Sequence, residues 1–203
     1  MNTLKQLSIS LILLAFVLLI LPGSGKYSFT EKPADLTLSL FSEEIYISVD
    51  QVARYVVSED SSIQLIDLRD IEEYQELNIP GAMNIPLWEF FERRPETFLF
   101  NKSIKYIFYS NSNTKSAYAL SLALGLGYKN CYIMEGGLNR WFETIMYSSF
   151  TGKSISPREN ALFENRSKAK RFFTEINSLP DSLKLLYAES RRQAEQSLDG
   201  GCE

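Results

Sequence analysis

The sequence predicts an α/β domain in which helices cover both faces of a five-stranded parallel sheet. The chain has 203 residues, which is enough for one such domain with appendages. Hydrophobic residues make up 45% of it, so a packed core can form. Five short runs rich in β-branched and aromatic residues alternate with helical patterns, and this order favours parallel strands joined by helices.

The predicted strands are short and apolar. They cover residues 45–47, 63–68, 83–86, 105–109 and 130–134. Helices are predicted over 48–57, around 72–74, around 88–91, over 116–126, from 135 through 141, over 158–176 and over 181–198. Ser48 and Gln51 form a capping-box pattern, and Pro80-Gly81 is typical of a type II turn.

The N-terminal segment 1–25 predicts a signal anchor or a signal peptide. Residues 7–21 carry no charge, Lys5 precedes them and Pro22 follows. The run is shorter than the about 20 residues of a membrane-spanning helix and reaches the upper end of the about 7–15 residues of a signal-peptide core. The lack of an Ala-x-Ala site favours an uncleaved anchor. Lys5 before the run predicts a domain on the extracytoplasmic side, periplasmic or extracellular.

The rest of the chain is divided into a linker at 26–44, an α/β domain at 45–147 and a helical extension at 148–203. The extension has apolar residues that we expect to dock on the domain. They are Phe163, Phe172, Phe173, Leu183, Leu186 and Tyr187. Its basic residues are expected to form a solvated face. They are Arg166, Lys168, Lys170 and Arg171.

The composition excludes several kinds of function. The chain has no histidine, so it cannot hold a Ser-His-Asp or Cys-His nucleophile system, and it lacks the commonest metal ligand. Its two cysteines, Cys131 and Cys202, are too few for a disulfide framework or a structural metal site. A net charge of −4 argues against nucleic acid as a partner. We expect neither a metal nor a cofactor.

The stretch from 105 to 126 predicts the functional site. It reads as a strand, a tight polar loop over 110–115 and an Ala/Leu-rich helix from Ser116. Such a loop directs backbone N–H groups into one concavity, and the helix start adds unpaired donors, which suits a small anion. The predicted anion-binding residues are Ser110, Asn111, Ser112, Asn113, Thr114, Lys115 and Ser116.

This stretch resembles the active-site loop of a rhodanese-like domain, a member of the sulfurtransferase superfamily. In that resemblance Ser110 stands at the catalytic cysteine, Asn113 at a glycine, Lys115 at an arginine and Ser116 at the serine that opens the helix. The loop length is that of the sulfurtransferases. The chain therefore resembles a variant without the catalytic cysteine.

Further motifs of the resemblance occur in order along residues 45–145. They are Asp67-Leu68-Arg69 with Glu72-Glu73-Tyr74, the run 77–82 with Asn78 at the family's histidine, and Gly136-Gly137 followed by Trp141. Asp67 and Arg69 are interpreted either as a pair that shapes the site or, more strongly, as part of an ion pair with Glu73 that fixes strand to helix.

The expected function follows from the absence of a thiol at position 110. Sulfur transfer needs a thiolate that carries a persulfide, and a hydroxyl cannot take that place. Ser110 also lacks a histidine base. We therefore expect an inactive domain that binds a small oxyanion or a protein partner. The alternatives are a divergent thiosulfate or persulfide sulfurtransferase that uses Cys131 or a partner's thiol, and a scaffold that positions the tail after Pro157.

Overall fold

A computed structural model of the protein describes residues 7–13, 16, 29–30, 32–93, 95–149 and 156–197. Within these ranges no helix is both long and apolar enough to cross a membrane. Residues 7–13 are helical and exposed. Most of the predicted N-terminal signal lies outside the described residues, as does Cys202.

Five parallel strands form one sheet in the order β1-β5-β4-β2-β3. The strands are β1 (Tyr46–Ile47), β2 (Ile63–Asp67), β3 (Met83–Asn84), β4 (Lys105–Tyr109) and β5 (Cys131–Met134). Every pairing between them is parallel. The predicted α/β fold with a five-stranded parallel sheet is therefore confirmed. Strand β3 is shorter than predicted, since Pro86 has no N–H for a ladder bond.

Beyond the helical residues 7–13, eight α-helices lie in the described residues. They are α1 (Pro33–Leu40), α2 (Val49–Ser58), α3 (Ile71–Glu76), α4 (Leu87–Glu92), α5 (Asn113–Gly125), α6 (Gly137–Trp141), α7 (Pro157–Asn177) and α8 (Asp181–Ser197). The capping box of Ser48 and Gln51 opens α2 as predicted. The predicted turn at Pro80-Gly81 also forms, with Gly81 at a φ of 81° and the Ala82 N–H donating to the Ile79 carbonyl at 3.0 Å.

Strand β4 lies at the centre of the sheet and separates two hydrophobic layers. Because side chains alternate along a strand, Ile107 and Tyr109 enter one layer, and Tyr106 and Phe108 enter the other. Every residue of β4 after Lys105 is buried. The strand is thus fixed on both faces, and this fixes the position of the residue that follows it.

Helix α7 is part of the first layer. Its Ala169 and Phe173 are buried, and the Phe173 ring lies 6.0 Å from the ring of Trp141. Arg166 donates two hydrogen bonds of 2.7 Å to the carboxylate of Asp50 on α2. The expectation of a solvated basic face is therefore wrong for Arg166, because its guanidinium ties α7 to α2.

Helix α8 is held less closely. Its Lys184 Nζ donates to the Gln75 carbonyl at 3.3 Å, and the Tyr187 hydroxyl donates to Glu59 at 3.3 Å. Leu183 and Leu186, which we expected to dock on the domain, remain 46% and 60% exposed. The apolar face of α8 is therefore covered only in part.

Candidate functional site

The predicted site residues come together at the carboxyl ends of the central strands. Strand β4 pairs with β2 on one side and with β5 on the other. Ser110 directly follows β4, Arg69 lies just after β2, and Gly136 lies just after β5. This edge is where parallel α/β sheets place their ligand sites.

Ser110 is buried, and its hydroxyl is already engaged. The side chain is 2% exposed, and its Oγ donates to the Ser112 carbonyl at 2.7 Å. The Ser112 N–H in turn donates to Ser110 Oγ at 3.4 Å. The hydroxyl therefore closes a turn within the loop, where a nucleophile would need a base as its partner.

The helix after the loop starts earlier than predicted. We expected a loop over 110–115, whereas α5 begins at Asn113 with Ser112 as its N-cap. The cause is a tertiary contact, since Asn113 Oδ1 accepts a hydrogen bond of 2.7 Å from the Gly136 N–H. An asparagine side chain that is held in this way no longer competes for its own backbone. Only Ser110, Asn111 and Ser112 lie between the strand and the helix.

Two glycines form the opposite wall of the loop. Gly137 has a φ of +60°, and a Cβ at this position would lie 2.4 Å from the Ser110 carbonyl oxygen. The N–H groups of Leu138 and Asn139 donate to the carbonyls of Ser110 and Asn111 at 2.8 and 3.2 Å. The two carbonyls are thereby turned towards α6. We did not predict this role for Gly136-Gly137, although a glycine pair directly after a strand is a signal for such a close approach.

The first turn of α5 has backbone N–H groups at its open end. Its N–H groups have no acceptor inside the helix. The Ser116 hydroxyl is fully buried and has no hydrogen-bond partner among the described residues. Lys115 lies in the same turn, with its Nζ 3.8 Å from the carboxylate of Asp70. Both side chains of that pair are largely exposed, so the interaction is weak.

Asp67 and Arg69 form a buried ion pair with each other. Arg69 Nη2 lies 2.6 Å from Asp67 Oδ2 and also donates to the Leu77 carbonyl at 2.7 Å. The prediction of an ion pair with Glu73 is wrong, because Glu73 instead accepts a hydrogen bond of 2.8 Å from Asn111 Nδ2. Glu73 therefore contacts the loop through Asn111, a partner that the sequence did not predict.

Two tyrosines lie beside this ion pair, Tyr74 half-buried and Tyr109 fully buried. Burial, and after it the Asp67 carboxylate, raises the pKa of Tyr74 to about 12. The same two causes raise the pKa of the fully buried Tyr109 well above its usual value. Tyr109 accepts a hydrogen bond of 3.2 Å from the Ile79 N–H, and Tyr74 donates one of 2.7 Å to the Ala82 carbonyl. Both phenols stay protonated at neutral pH and serve as fixed hydrogen-bonding groups.

Cys131 is buried in β5, as predicted. Burial raises the pKa of its thiol to about 12, so almost none of it is thiolate at neutral pH. No group of three or more potential metal ligands occurs among the described residues.

The fold and this edge define a class of protein, an α/β domain with a parallel sheet and a strand–loop–helix segment at the carboxyl ends of its central strands. Residues 49–144 match the model of the Rhodanese-like domain. These residues therefore form a rhodanese-like domain.

Two named relatives are similar to part of this chain. A thiosulfate:glutathione sulfurtransferase of Saccharomyces cerevisiae is 28% identical over 108 residues, which are 46% of this chain and 75% of that protein. A candidate sulfur carrier protein, YrkF of Bacillus subtilis, is 31% identical over 85 residues, which are 42% of this chain. The match spans only 44% of the length of YrkF.

A solved structure is also similar. It is the single-domain sulfurtransferase RDL2 of Saccharomyces cerevisiae, with a TM-score of 0.41 and 22% identity, and the match covers 48% of this chain and 88% of that one.

Proposed function

We propose that this protein is a rhodanese-like domain without sulfurtransferase activity, which uses residues 110–116 to bind a small oxyanion or a protein partner. The single observation that carries the proposal is Ser110 at the family's cysteine position, with its hydroxyl donating to the Ser112 carbonyl. Sulfur transfer requires a thiolate, and this side chain holds neither the sulfur nor a free hydroxyl.

Binding does not depend on the missing thiol. The N–H groups at the start of α5 and the helix dipole favour an anion whatever side chain stands at 110. Among the described residues the buried Ser116 hydroxyl has no hydrogen-bond partner, so it adds a donor. Asp70 opposes anion binding, because its carboxylate lies 3.8 Å from Lys115 Nζ and neutralises part of the charge.

The first test is calorimetric titration of the full-length protein with sodium thiosulfate and sodium sulfate. We expect Lys115→Gln to weaken binding by about 1 kcal/mol, or about fivefold. Asp70→Asn should strengthen binding, since Lys115 is then released to the anion. Lys102→Gln, which changes an exposed lysine outside the loop, is the charge-matched control. Equal affinities in all three variants would exclude the loop as the binding site.

The second test is a thiosulfate:cyanide assay on the same protein. We expect no thiocyanate above the rate of a sample without protein. Saturable turnover in proportion to protein concentration would show that the domain is an active sulfurtransferase.

The N-terminal segment is proposed to tether the domain to a membrane, with the domain on the extracytoplasmic side. The uncharged run at 7–21 supports this, as does the exposure of its described side chains, such as Ile12 at 68%. The test is carbonate extraction of membranes from cells that express the full chain or a chain without residues 1–25. Intact mass then distinguishes an anchor from a cleaved signal peptide.

A second candidate function is a sulfurtransferase that uses another thiol. The similarity to a thiosulfate:glutathione sulfurtransferase and to a candidate sulfur carrier protein supports this second candidate. The test is thiol-specific labelling after persulfide loading, in the wild type and in Cys131→Ser and Cys202→Ser variants. Labelling that disappears with one cysteine would support it, and no label at either would reject it.

A further inference from the structure

A groove lies between α8 and the edge of the sheet formed by β3 and the start of α4. Its volume is about 760 Å³. Three large apolar side chains line it while remaining substantially exposed, namely Ile71 at 44%, Trp88 at 59% and Leu185 at 61%. The loop residues 110–116 do not line this groove, although Lys115 lies 3.8 Å from Asp70, which does.

The charges on the groove all have one sign. Among the described side chains that line it, four are carboxylates and none is cationic, the carboxylates being Asp70, Glu72, Glu89 and Glu189. Arg93 lies 2.6 Å from Glu89, and Lys115 lies 3.8 Å from Asp70, so these two are partly neutralised. Glu72 on α3 and Glu189 on α8 line the groove from different elements.

Small residues keep the groove open. Leu185 and Glu189 are four residues apart on α8 and therefore share one face of that helix. Ala188 on the same helix, and Gly81 and Ala82 before β3, also line the groove. Larger side chains at these positions would close the space between α8 and the sheet edge.

We propose that this groove is the docking site for a basic, amphipathic peptide segment of a partner protein. Apolar side chains of the segment would cover Ile71, Trp88 and Leu185, and its lysines or arginines would pair with Glu72 and Glu189. Trp88 adds the attraction of an aromatic face for a cation. An exposed tryptophan in an open groove is also typical of residues that dominate binding energy at interfaces.

The charge excludes other occupants. An oxyanion or a nucleic acid would be repelled by four carboxylates. A second copy of this chain carries the same net charge of −4, so association through this face would bring like charges together. The inference does not depend on the function proposed for residues 110–116.

The test is a fluorescence titration of the full-length protein with a short peptide of alternating lysine and leucine. The chain has two tryptophans, and Trp141 is fully buried whereas Trp88 is 59% exposed, so the signal reports on the groove. We expect a blue shift and protection from acrylamide quenching. A peptide with glutamate in place of each lysine should give neither.

Matched variants locate the binding. The double variant Glu72→Gln with Glu189→Gln should weaken the binding of the lysine peptide about tenfold. Glu43→Gln with Glu44→Gln removes the same charge from exposed positions outside the groove and should change the affinity by less than roughly twofold. Equal losses in the two double variants would overturn the proposal, as would equal binding of the glutamate peptide. A full response to free arginine would also overturn it, because the site would then need no peptide.

Discussion

Asn177 at the end of α7 brackets the backbone of Asn78 with two hydrogen bonds. Its Oδ1 accepts from the Asn78 N–H at 2.8 Å, and its Nδ2 donates to the Asn78 carbonyl at 2.8 Å. The two residues are 99 positions apart. Asn78 lies in the run 77–82, which resembles a family motif with a histidine at this position, and α7 fixes the backbone of that run.

Asn177→Ala should lower the free energy of unfolding by about 1–3 kcal/mol. The substitution leaves a buried N–H and a buried carbonyl at Asn78 without partners, which carries a desolvation cost. Urea denaturation measures the change. Asn160→Ala, at an exposed position on the same helix, is the control and should change stability by less than about 0.5 kcal/mol. A loss of stability no greater than that of the control would show that the two hydrogen bonds to Asn78 contribute nothing.

Gly137→Ala should destabilise the protein by at least about 2 kcal/mol and weaken anion binding. The new Cβ meets the Ser110 carbonyl oxygen at 2.4 Å and also requires a φ of +60°. Gly127→Ala is the control, since Gly127 has a φ of +91° but a Cβ there would lie 3.3 Å from a side-chain oxygen, that of Thr30. The difference between the two variants in urea denaturation and sulfate titration isolates the contact with the loop.

Removing one partner of the Asp67–Arg69 pair should be costly. Arg69→Met leaves the buried Asp67 carboxylate without its guanidinium, and we expect a loss of about 3–5 kcal/mol. The double variant Asp67→Leu with Arg69→Met should lose less than Arg69→Met alone, because no charge is then left unpaired. Thermal unfolding of both variants gives the comparison. A double variant that is less stable than the single one would contradict this account.

Alkaline pH should destabilise the fold. The pKa of Cys131 rises from 9.0 to about 12 on folding, and that of Tyr74 from 10.0 to about 12. At a pH between the ordinary and the raised pKa values, the unfolded chain has released protons that the folded protein keeps. The stability contribution of these two groups is therefore full below about pH 9 and falls as the pH rises towards about 12. Urea denaturation at about pH 7 and about pH 10.5 measures the decline.

Cys131→Ala serves as the control for that pH dependence. It lowers stability at all pH values through the lost side-chain contacts, and it should make the decline above pH 9 shallower. An unchanged slope would mean that the thiol does not contribute. In the wild type, a thiol reagent at neutral pH should modify Cys131 only after urea is added.

Ser110→Cys should restore at most weak thiosulfate:cyanide activity. Asn113 still binds the Gly136 N–H through its side chain, and Lys115 still offers a point charge, shared with Asp70, where related domains use the planar fork of arginine. Ser112→Cys, which places a thiol at the exposed end of the loop, is the control. Turnover at the level of active relatives would show that the thiol alone is missing.

Much of the site was predictable from sequence because its position depends on chain order. Lys105–Tyr109 forms the predicted strand, and Ser110 follows it at the carboxyl edge of the sheet. The partners within the site were not predictable in the same way. Asn111 binds Glu73 across 38 positions, and Asn113 binds Gly136 across 23, so both depend on how separate loops meet.

The α/β architecture and the serine at position 110 are both evident in the amino-acid sequence, since alternating apolar runs and the identity of one residue do not depend on any long-range contact. Three features depend on the folded arrangement. The Ser110 hydroxyl bonds within its own loop, Arg69 pairs with Asp67, and α8 leaves an acidic groove open beside Trp88. Periodicity specifies which face of an element is buried. The partner of a polar side chain is set by the packing of elements that lie far apart in the chain.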